Sequence, residues 1–375
     1  MIYLDNAATS HPKAPGVAEA VARCLTKGGG SPGRASHRLA REASRTLFEA
    51  REATADLLGL ADAERLIFTR NATEALNVAI QGTVKPGELV VVSSLEHNAV
   101  MRPLRQLEAT RGVRILVVPF SGAGQPEPEA LRQALAQHPG LMVLTAGSNV
   151  SGGLPPVAEV AELCRREAVP LCVDASQTAG HFPLPSCDLL CFSAHKGLLG
   201  PAGLGCLYLG PGARPLPLVL GGTGSASESE FQPKVLPDRY ESGTPNLPGI
   251  AGLLASVRFL AETGIPAVAR REASLCDELL RGLLALPGVA SPGPLPGEAR
   301  APVISITVAG RDLGELALEL DRRDLCTRVG LHCAPAAHRS LGTLEGGGTL
   351  RFSPGFFTTD AELRATLDLM EELLA

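Results

Sequence analysis

Between about residue 40 and residue 210 the chain alternates helical periodicity with short apolar or β-branched runs, and few folds accommodate that pattern. The strand-like runs are Leu89–Ser93, Arg114–Pro119, Leu141–Thr145, Pro170–Asp174, Asp188–Ser193 and Gly205–Leu209. Helical spacing is read over Leu39–Leu60, which stops at Gly59, and over Glu74–Gln81, Pro103–Thr110, Glu127–Gln137 and Val157–Glu167. Strands and helices in this alternation form a mostly parallel sheet with helices on both faces, an α/β fold. The Gly-, Ser- and Pro-rich stretch Gly210–Pro248 reads as an ordered functional loop region or a boundary. Beyond it, helices over Ile250–Glu262 and Ala269–Leu286 lead into a second alternation. Its members are strand Val303–Val308, helix Leu313–Arg323, strands Cys326–Val329 and Thr349–Ser353, and helix Asp360–Leu374, an α+β unit. A chain of 375 residues, 45% hydrophobic, has the material for two such cores.

Charge and cysteine content narrow the function classes. The net charge is −5 and the basic residues are scattered, so there is no footprint for nucleic acid or an anionic membrane. The longest apolar stretches, such as Leu216–Leu220, fall far short of the roughly 20 residues needed to cross a bilayer. The opening MIYLDNAATS lacks the features of a signal peptide. Nine cysteines without a CxxC pair argue for a reducing compartment, and a soluble cytoplasmic protein is expected. Cys172, Cys191 and Cys206 lie in apolar runs as core residues, whereas Cys333 sits in a loop flanked by Gly, His and Pro.

Ligands of open parallel sheets bind beyond the carboxyl ends of the strands, and here four successive strand ends carry reactive side chains. They are Glu96-His97-Asn98, Ser148-Asn149-Val150-Ser151-Gly152, Asp174-Ala175-Ser176-Gln177 and Ser193-Ala194-His195-Lys196-Gly197. Lys196 follows an apolar strand, where a lysine has a depressed pKa and becomes a nucleophile; most loop lysines simply face solvent. Asp174 ends a buried strand and needs a partner, which a protonated pyridine nitrogen would supply. It could equally begin a capping box with Gln177. Asn71-Ala72-Thr73 is an ordinary helix start and, as well, a helix N-terminus suited to phosphate.

These residues resemble the cysteine desulfurases, a branch of the fold-type I pyridoxal phosphate enzymes grouped as class V aminotransferases, and in particular the type with a short active-site cysteine loop. The likeness runs nearly end to end. It includes Tyr3-Leu4-Asp5-Asn6-Ala7-Ala8-Thr9, Asn71-Ala72-Thr73-Glu74-Ala75, Glu96-His97-Asn98, Ser148-Asn149, Val173-Asp174-Ala175-Ser176-Gln177, Ser193-Ala194-His195-Lys196-Gly197, Glu241-Ser242-Gly243-Thr244-Pro245-Asn246 and Arg328-Val329-Gly330-Leu331-His332-Cys333-Ala334-Pro335. The resemblance implies a large cofactor-binding domain over residues 12–250 and a small domain of residues 1–11 and 251–375 bearing the catalytic cysteine.

The roles that the resemblance implies are specific. Lys196 would hold pyridoxal 5'-phosphate covalently and move protons. His97 would stack on the ring, Asp174 would pair with its nitrogen, and Gln177 and Asn149 would contact the phenolic oxygen or nearby atoms. The Ala72 amide, Thr73, Ser193 and His195 would hold the phosphate. Thr244 would reach the neighbouring subunit's phosphate, implying a homodimer with shared active sites. Arg351 would clamp the carboxylate of L-cysteine. Cys333 would take the sulfur as a persulfide, leaving alanine, and pass it to a sulfur-acceptor protein, as in iron–sulfur cluster assembly. A thiolate is needed, and His332 and Arg328 are the candidates to favour it by sequence proximity. Ala146 stands where many relatives carry histidine, and the run Gly346-Gly347-Gly348 suggests looseness beside Arg351.

Other readings stay open. A selenocysteine lyase, a thiol-independent cysteine or cystine lyase, or an aminotransferase would share Lys196, Asp174 and His97, and the last two would not need Cys333. A metal site of Cys326, His332, Cys333 and His338 lacks the paired spacing of structural zinc. A non-catalytic regulator on this fold would be expected to add a DNA-binding segment with helix-turn-helix features, and none is visible.

Overall fold

The computed structural model describes residues 1–33, 37–184 and 186–375. In chain order the first part comprises β1 (Ile2–Tyr3), α1 (Val17–Lys27), α2 (Arg38–Leu58), β2 (Leu66–Thr69), α3 (Ala72–Thr83), β3 (Leu89–Ser93), α4 (Asn98–Arg111) and β4 (Arg114–Val118). It continues through α5 (Pro128–Leu135), β5 (Leu141–Thr145), α6 (Val157–Arg166), β6 (Leu171–Asp174), β7 (Leu189–Ser193), β8 (Gly205–Leu209) and α7 (Leu247–Thr263). Seven of these strands form one sheet in the order β2-β8-β7-β6-β5-β3-β4. Only β8 runs against its neighbours; the other pairings are parallel.

All residues of β3, β5, β6, β7 and β8 are buried, which is why these strands read as unbroken apolar runs. The two-residue period still sorts their side chains: Val91, Met142, Leu144, Leu190 and Phe192 enter one core, and Val90, Val92, Val143, Leu189 and Cys191 the other. Sequence reading found the interior strands and missed β2. Its four residues, Leu-Ile-Phe-Thr, are held at the edge by antiparallel pairing with β8. Helix α4 begins at Asn98, well before the expected Pro103, because His97 caps it; the proline lies inside the helix.

The second body contains α8 (Ile265–Leu284), β9 (Val289–Ala290), β10 (Ile304–Val308), α9 (Leu313–Asp321), β11 (Leu325–Cys326), β12 (Arg328–Gly330), α10 (Pro335–Ser340), β13 (Thr349–Phe352) and α11 (Asp360–Leu374). An antiparallel sheet β12-β13-β10-β9 shares a core with α8 and α11 through Leu275, Leu279, Ile306, Phe352 and Met370. The N-terminus joins this body: β1 pairs with β11, and Asp5 bridges to Ser353. Helix α7 packs Ile250, Leu253 and Val257 into the larger core, and α8 begins there with Val268 before Leu275 enters the core of the second body. No single helix among the described residues is long and apolar enough to cross a membrane.

Candidate active site

Strand order reverses around β3: the chain passes from β3 to β4 on one side and returns to β5 on the other. That switch opens a crevice at the carboxyl ends of the strands. A cavity of about 100 Å³ lies there, lined by Ala72, Thr73, His97, Asn149, Asp174, Gln177, Ser193, His195 and Lys196. Every residue expected around the cofactor on one chain is therefore gathered in one place, although they span more than a hundred positions.

Burial pushes the Lys196 amine down from its ordinary value to about 8, against the opposing pull of Asp174. Burial thus favours the neutral amine, the form that a nucleophile or proton acceptor must take. Asp174 is buried, and among the described residues its Oδ1 accepts the Ser176 amide at 2.9 Å. The capping-box alternative fails, since the Gln177 side chain donates instead to the Ala7 carbonyl at 3.1 Å. His97 accepts the Ala99 amide on Nδ1 at 3.0 Å, and burial lowers its pKa, so the neutral ring carries its hydrogen on Nε2.

Two polar atoms in this pocket, Ser193 Oγ and His195 Nδ1, are buried without a partner among the described residues. Burial, then Lys196 and Lys13, pushes His195 down to about 4. Ala72 and Thr73 are the first residues of α3, where helix N–H groups lack carbonyls of their own helix. Glycine at 205 allows this helix start to sit against β8, because a Cβ there would lie 2.3 Å from the Asn71 carbonyl carbon. Unpaired polar atoms and a helix N-terminus at one end, with an acid that bonds no cation among the described residues at the other, suit an anionic group attached to a cationic ring.

The thiol and the arginine expected to clamp a carboxylate come from the second body. Cys333 is exposed, and its carbonyl accepts the Asn98 amide at 2.8 Å, next to His97. The Asn149 side chain donates to the His332 carbonyl at 2.7 Å. Arg351 is buried, donating to the Asn149 carbonyl at 3.1 Å and to Asp5 Oδ1 at 2.8 Å, with Nε free of partners among the described residues.

Two expectations need correction. His332 does not serve the thiol: its ring is buried with Nε2 against Thr349 Oγ1 at 2.9 Å, and burial, then Arg351, drives its pKa to about 2. Arg328 remains beside the site, exposed on β12 opposite Arg351. Nor is the glycine run loose at its end. Gly348 lies against Gly330, where a Cβ would stand 2.1 Å from the carbonyl oxygen. Ala146 is buried in the larger core.

Thr244 lies apart from this pocket, in a groove with Arg70, Glu74 and Glu241. Its segment is anchored by the buried Arg51–Glu241 pair, 2.8 and 2.9 Å, whose Oε1 also accepts the Phe68 amide at 2.7 Å. Sequence reading gave no role to Asp5, Lys13 or Glu96. Lys13 donates to the His195 carbonyl at 3.1 Å, and burial lowers its pKa to about 8. Glu96 is fully buried, accepting from Ser93 Oγ at 2.5 Å and the Thr145 amide at 2.8 Å, and burial raises its pKa to about 8. Only its position within Glu96-His97-Asn98 hinted at it.

A doubly covered, mostly parallel sheet with a buried lysine beyond one strand end and a smaller α+β body is the architecture of the fold-type I transferases. Residues 2–365 match the family model for class V aminotransferases, and the chain belongs to that family. A probable cysteine desulfurase of Pseudomonas aeruginosa is 34% identical, the match covering 100% of this chain and 94% of the relative. Another from Methanothermobacter thermautotrophicus is 30% identical over 99% of this chain and 94% of the relative. Among solved structures, the apo cysteine desulfurase of Thermococcus onnurineus superposes with a TM-score of 0.92 at 30% identity, covering 100% of this chain and 94% of that one. An Escherichia coli cysteine desulfurase in an S-sulfonic acid form gives 0.87 at 27% identity, covering 100% and 95%.

Proposed function

We propose that the protein is a pyridoxal phosphate-dependent cysteine desulfurase that converts L-cysteine to L-alanine and a persulfide on Cys333. The observation that carries this is the junction of two sites: the pocket with the depressed Lys196 amine is tied by hydrogen bonds to the turn presenting an exposed thiol.

The residues present fit the cofactor. Ser193, His195 and the first turn of α3 would hold the phosphate, and Asp174 would face the ring nitrogen. His97 and Gln177 would line the ring, and Lys196 would be its covalent anchor. When bound, pyridoxal phosphate supplies an electron sink that acidifies the α-carbon of an amino acid. Around it, Arg351 binds the substrate carboxylate, and the neutral Lys196 amine accepts and returns the α-proton. The Cys333 thiolate attacks the substrate sulfur. The Cβ–S bond breaks, an S–S bond forms on Cys333, and protons delivered to carbon complete alanine.

Two further parts of the reading concern the assembly. Thr244 sits away from its own chain's pocket, and Leu216, Leu218, Val219, Leu220, Phe231 and Val235 are exposed nearby in sequence. Exposed apolar side chains in this segment, of which Leu218 and Val219 share the groove of Thr244, support a homodimer in which Thr244 completes the partner's site. Nine unpaired cysteines fit a reducing, cytoplasmic setting, where a sulfur-acceptor protein, such as one serving iron–sulfur cluster assembly, would collect the persulfide.

The test is product analysis with the loaded enzyme and a thiol reductant. Equal amounts of alanine and sulfide are expected from L-cysteine, with L-selenocysteine and L-cystine run in parallel. Absence of alanine from L-cysteine would refute the assignment, and turnover of cystine alone would replace it with a lyase.

A further inference from the structure

Lys196 lies on a turn, and a segment near the N-terminus holds that turn at two carbonyls that bracket the lysine. The His195 carbonyl accepts the Ser10 amide at 2.8 Å and Lys13 Nζ at 3.1 Å, and the Leu199 carbonyl accepts the Ala14 amide at 3.2 Å. Leu199 has a φ of 55°, a left-handed conformation that a leucine keeps only where its surroundings enforce it. Lys13 is half-buried and has no carboxylate partner among the described residues. Its three N–H donors meet Thr9 Oγ1, Ser10 Oγ and the His195 carbonyl, each at 3.1 Å, which is the full capacity of an ammonium. Taking a cation out of water with no anion beside it costs free energy that an apolar side chain would avoid, which sets Lys13 apart from a packing residue. The segment is itself anchored. Ala14 is buried in the larger core, the Tyr3 hydroxyl donates to the Thr9 carbonyl at 2.9 Å, and the Gln177 side chain donates to the Ala7 carbonyl at 3.1 Å.

We propose that Lys13 is a positioning residue for Lys196: by holding the His195 carbonyl it fixes the peptide group from which the Lys196 side chain starts, and so aims the amine into the pocket. This deepens the desulfurase reading and rests on the part of it that puts pyridoxal phosphate on Lys196. The Thr9 and Ser10 hydroxyls also lie 3.2 Å from the His195 carbonyl oxygen, and both accept from Lys13, so the ammonium organises every side-chain donor around that atom. Without it the Ser10 amide remains and the hydroxyls are free to turn away. A small rotation of the peptide is then carried to the amine along the whole length of the lysine side chain. Misplacing a reacting group by about 1 Å costs about 100-fold in rate, and a partial loss of the hold should cost about tenfold.

The experiment reads the lysine and the thiol separately. The full chain, stripped of cofactor, is mixed with pyridoxal phosphate, and growth of the visible band gives the rate at which the Lys196 amine condenses with the aldehyde and releases water. Exchange of the α-proton of L-alanine in deuterated water by the loaded enzyme is the second readout; it needs Lys196 and no thiol. Lys13→Met, which keeps the stem and lacks the ammonium, should slow both about tenfold while the KM for L-cysteine stays within about threefold. Alkylation of Cys333, followed on its peptide by mass spectrometry, should keep its wild-type rate. Lys13→Arg, which returns a cation with N–H donors, should bring both lysine rates back to within about threefold of wild type. Unchanged capture and exchange in Lys13→Met, an arginine variant as slow as the methionine one, or a parallel change at the thiol overturns the proposal. Should Lys13→Met fail to fold, Lys13→Gln, whose side chain is one bond shorter, is put through the same readouts. A wild type that captures the cofactor yet makes no alanine from L-cysteine sinks the desulfurase reading, and the Lys13 comparison still decides the proposal. A wild type that captures none sinks both.

Discussion

The lysine end of the site and the thiol end are built in opposite ways. Asp174 ends β6, and Lys196, Asn149 and His97 stand just beyond the ends of β7, β5 and β3, so the pairing of neighbouring parallel strands brings them together. Cys333 belongs to no such row. It is carried on a short turn of the second body and fixed through two backbone carbonyls, those of residues 332 and 333. The lysine end is held by a sheet buried on both faces, and the thiol end by a few hydrogen bonds across the seam. Chemistry on the α-carbon should therefore tolerate damage to the seam, whereas sulfur transfer should not.

Substitutions can break that contrast. Lys196→Ala should give the largest effect, eliminating the visible band and lowering alanine formation by at least about 10⁴-fold, as loss of an essential group does. Retained turnover in this variant would place the anchor elsewhere. Cys333→Ser comes next: the band and α-proton exchange of L-alanine should survive while persulfide formation drops by at least about 100-fold. Undiminished sulfide release would point to a lyase that needs no protein thiol.

Arg351→Ala should act mainly on binding. A charge-assisted hydrogen bond is worth about 1.5–3 kcal/mol, so KM for L-cysteine should rise about 10- to 150-fold with a smaller change in kcat. The variant also strands Asp5, whose carboxylate loses its 2.8 Å partner, so a lower melting temperature should accompany the change. An unchanged KM would assign the substrate carboxylate to another cation.

The smallest effect concerns Glu96 beneath the lysine end. Its folded-state pKa is raised from 4.5 to about 8, so the fold favours the protonated acid. Its contribution to stability is complete below the unfolded value and is lost as pH rises towards 8, with a slope of at most about 1.4 kcal/mol per pH unit. Glu96→Gln should flatten the pH dependence of unfolding between about 5 and 8. Identical slopes in urea titrations of the two proteins would show that the acid ionises freely in the fold.

Much of the lysine end was readable because it follows from local rules. A buried parallel strand is an apolar run, and the residues at its end face the crevice; on that ground Lys196, Asp174 and His97 stood out as candidates beside ordinary structural alternatives, and the family resemblance supplied their roles. Where sequence reading went wrong, it had inferred side-chain direction from adjacency. His332 adjoins Cys333, yet the left-handed backbone sends its ring to Thr349. The glycines before Arg351 suggested looseness, whereas Gly348 is there because the Gly330 carbonyl leaves no space for a Cβ.

By itself the sequence determined the α/β class, the strands whose ends bear the chemistry, and the residue types assembled there, because periodicity and burial act over a few neighbouring positions. Only the tertiary structure decided that Asp5 holds Arg351, that Glu241 anchors the Thr244 segment through Arg51, and that Asn149 grips the turn of Cys333. Those contacts join residues 183 to 346 positions apart. Their geometry depends on how segments far apart in the chain pack, within each body for the first two and between the bodies for the third, and no local pattern of side chains encodes it.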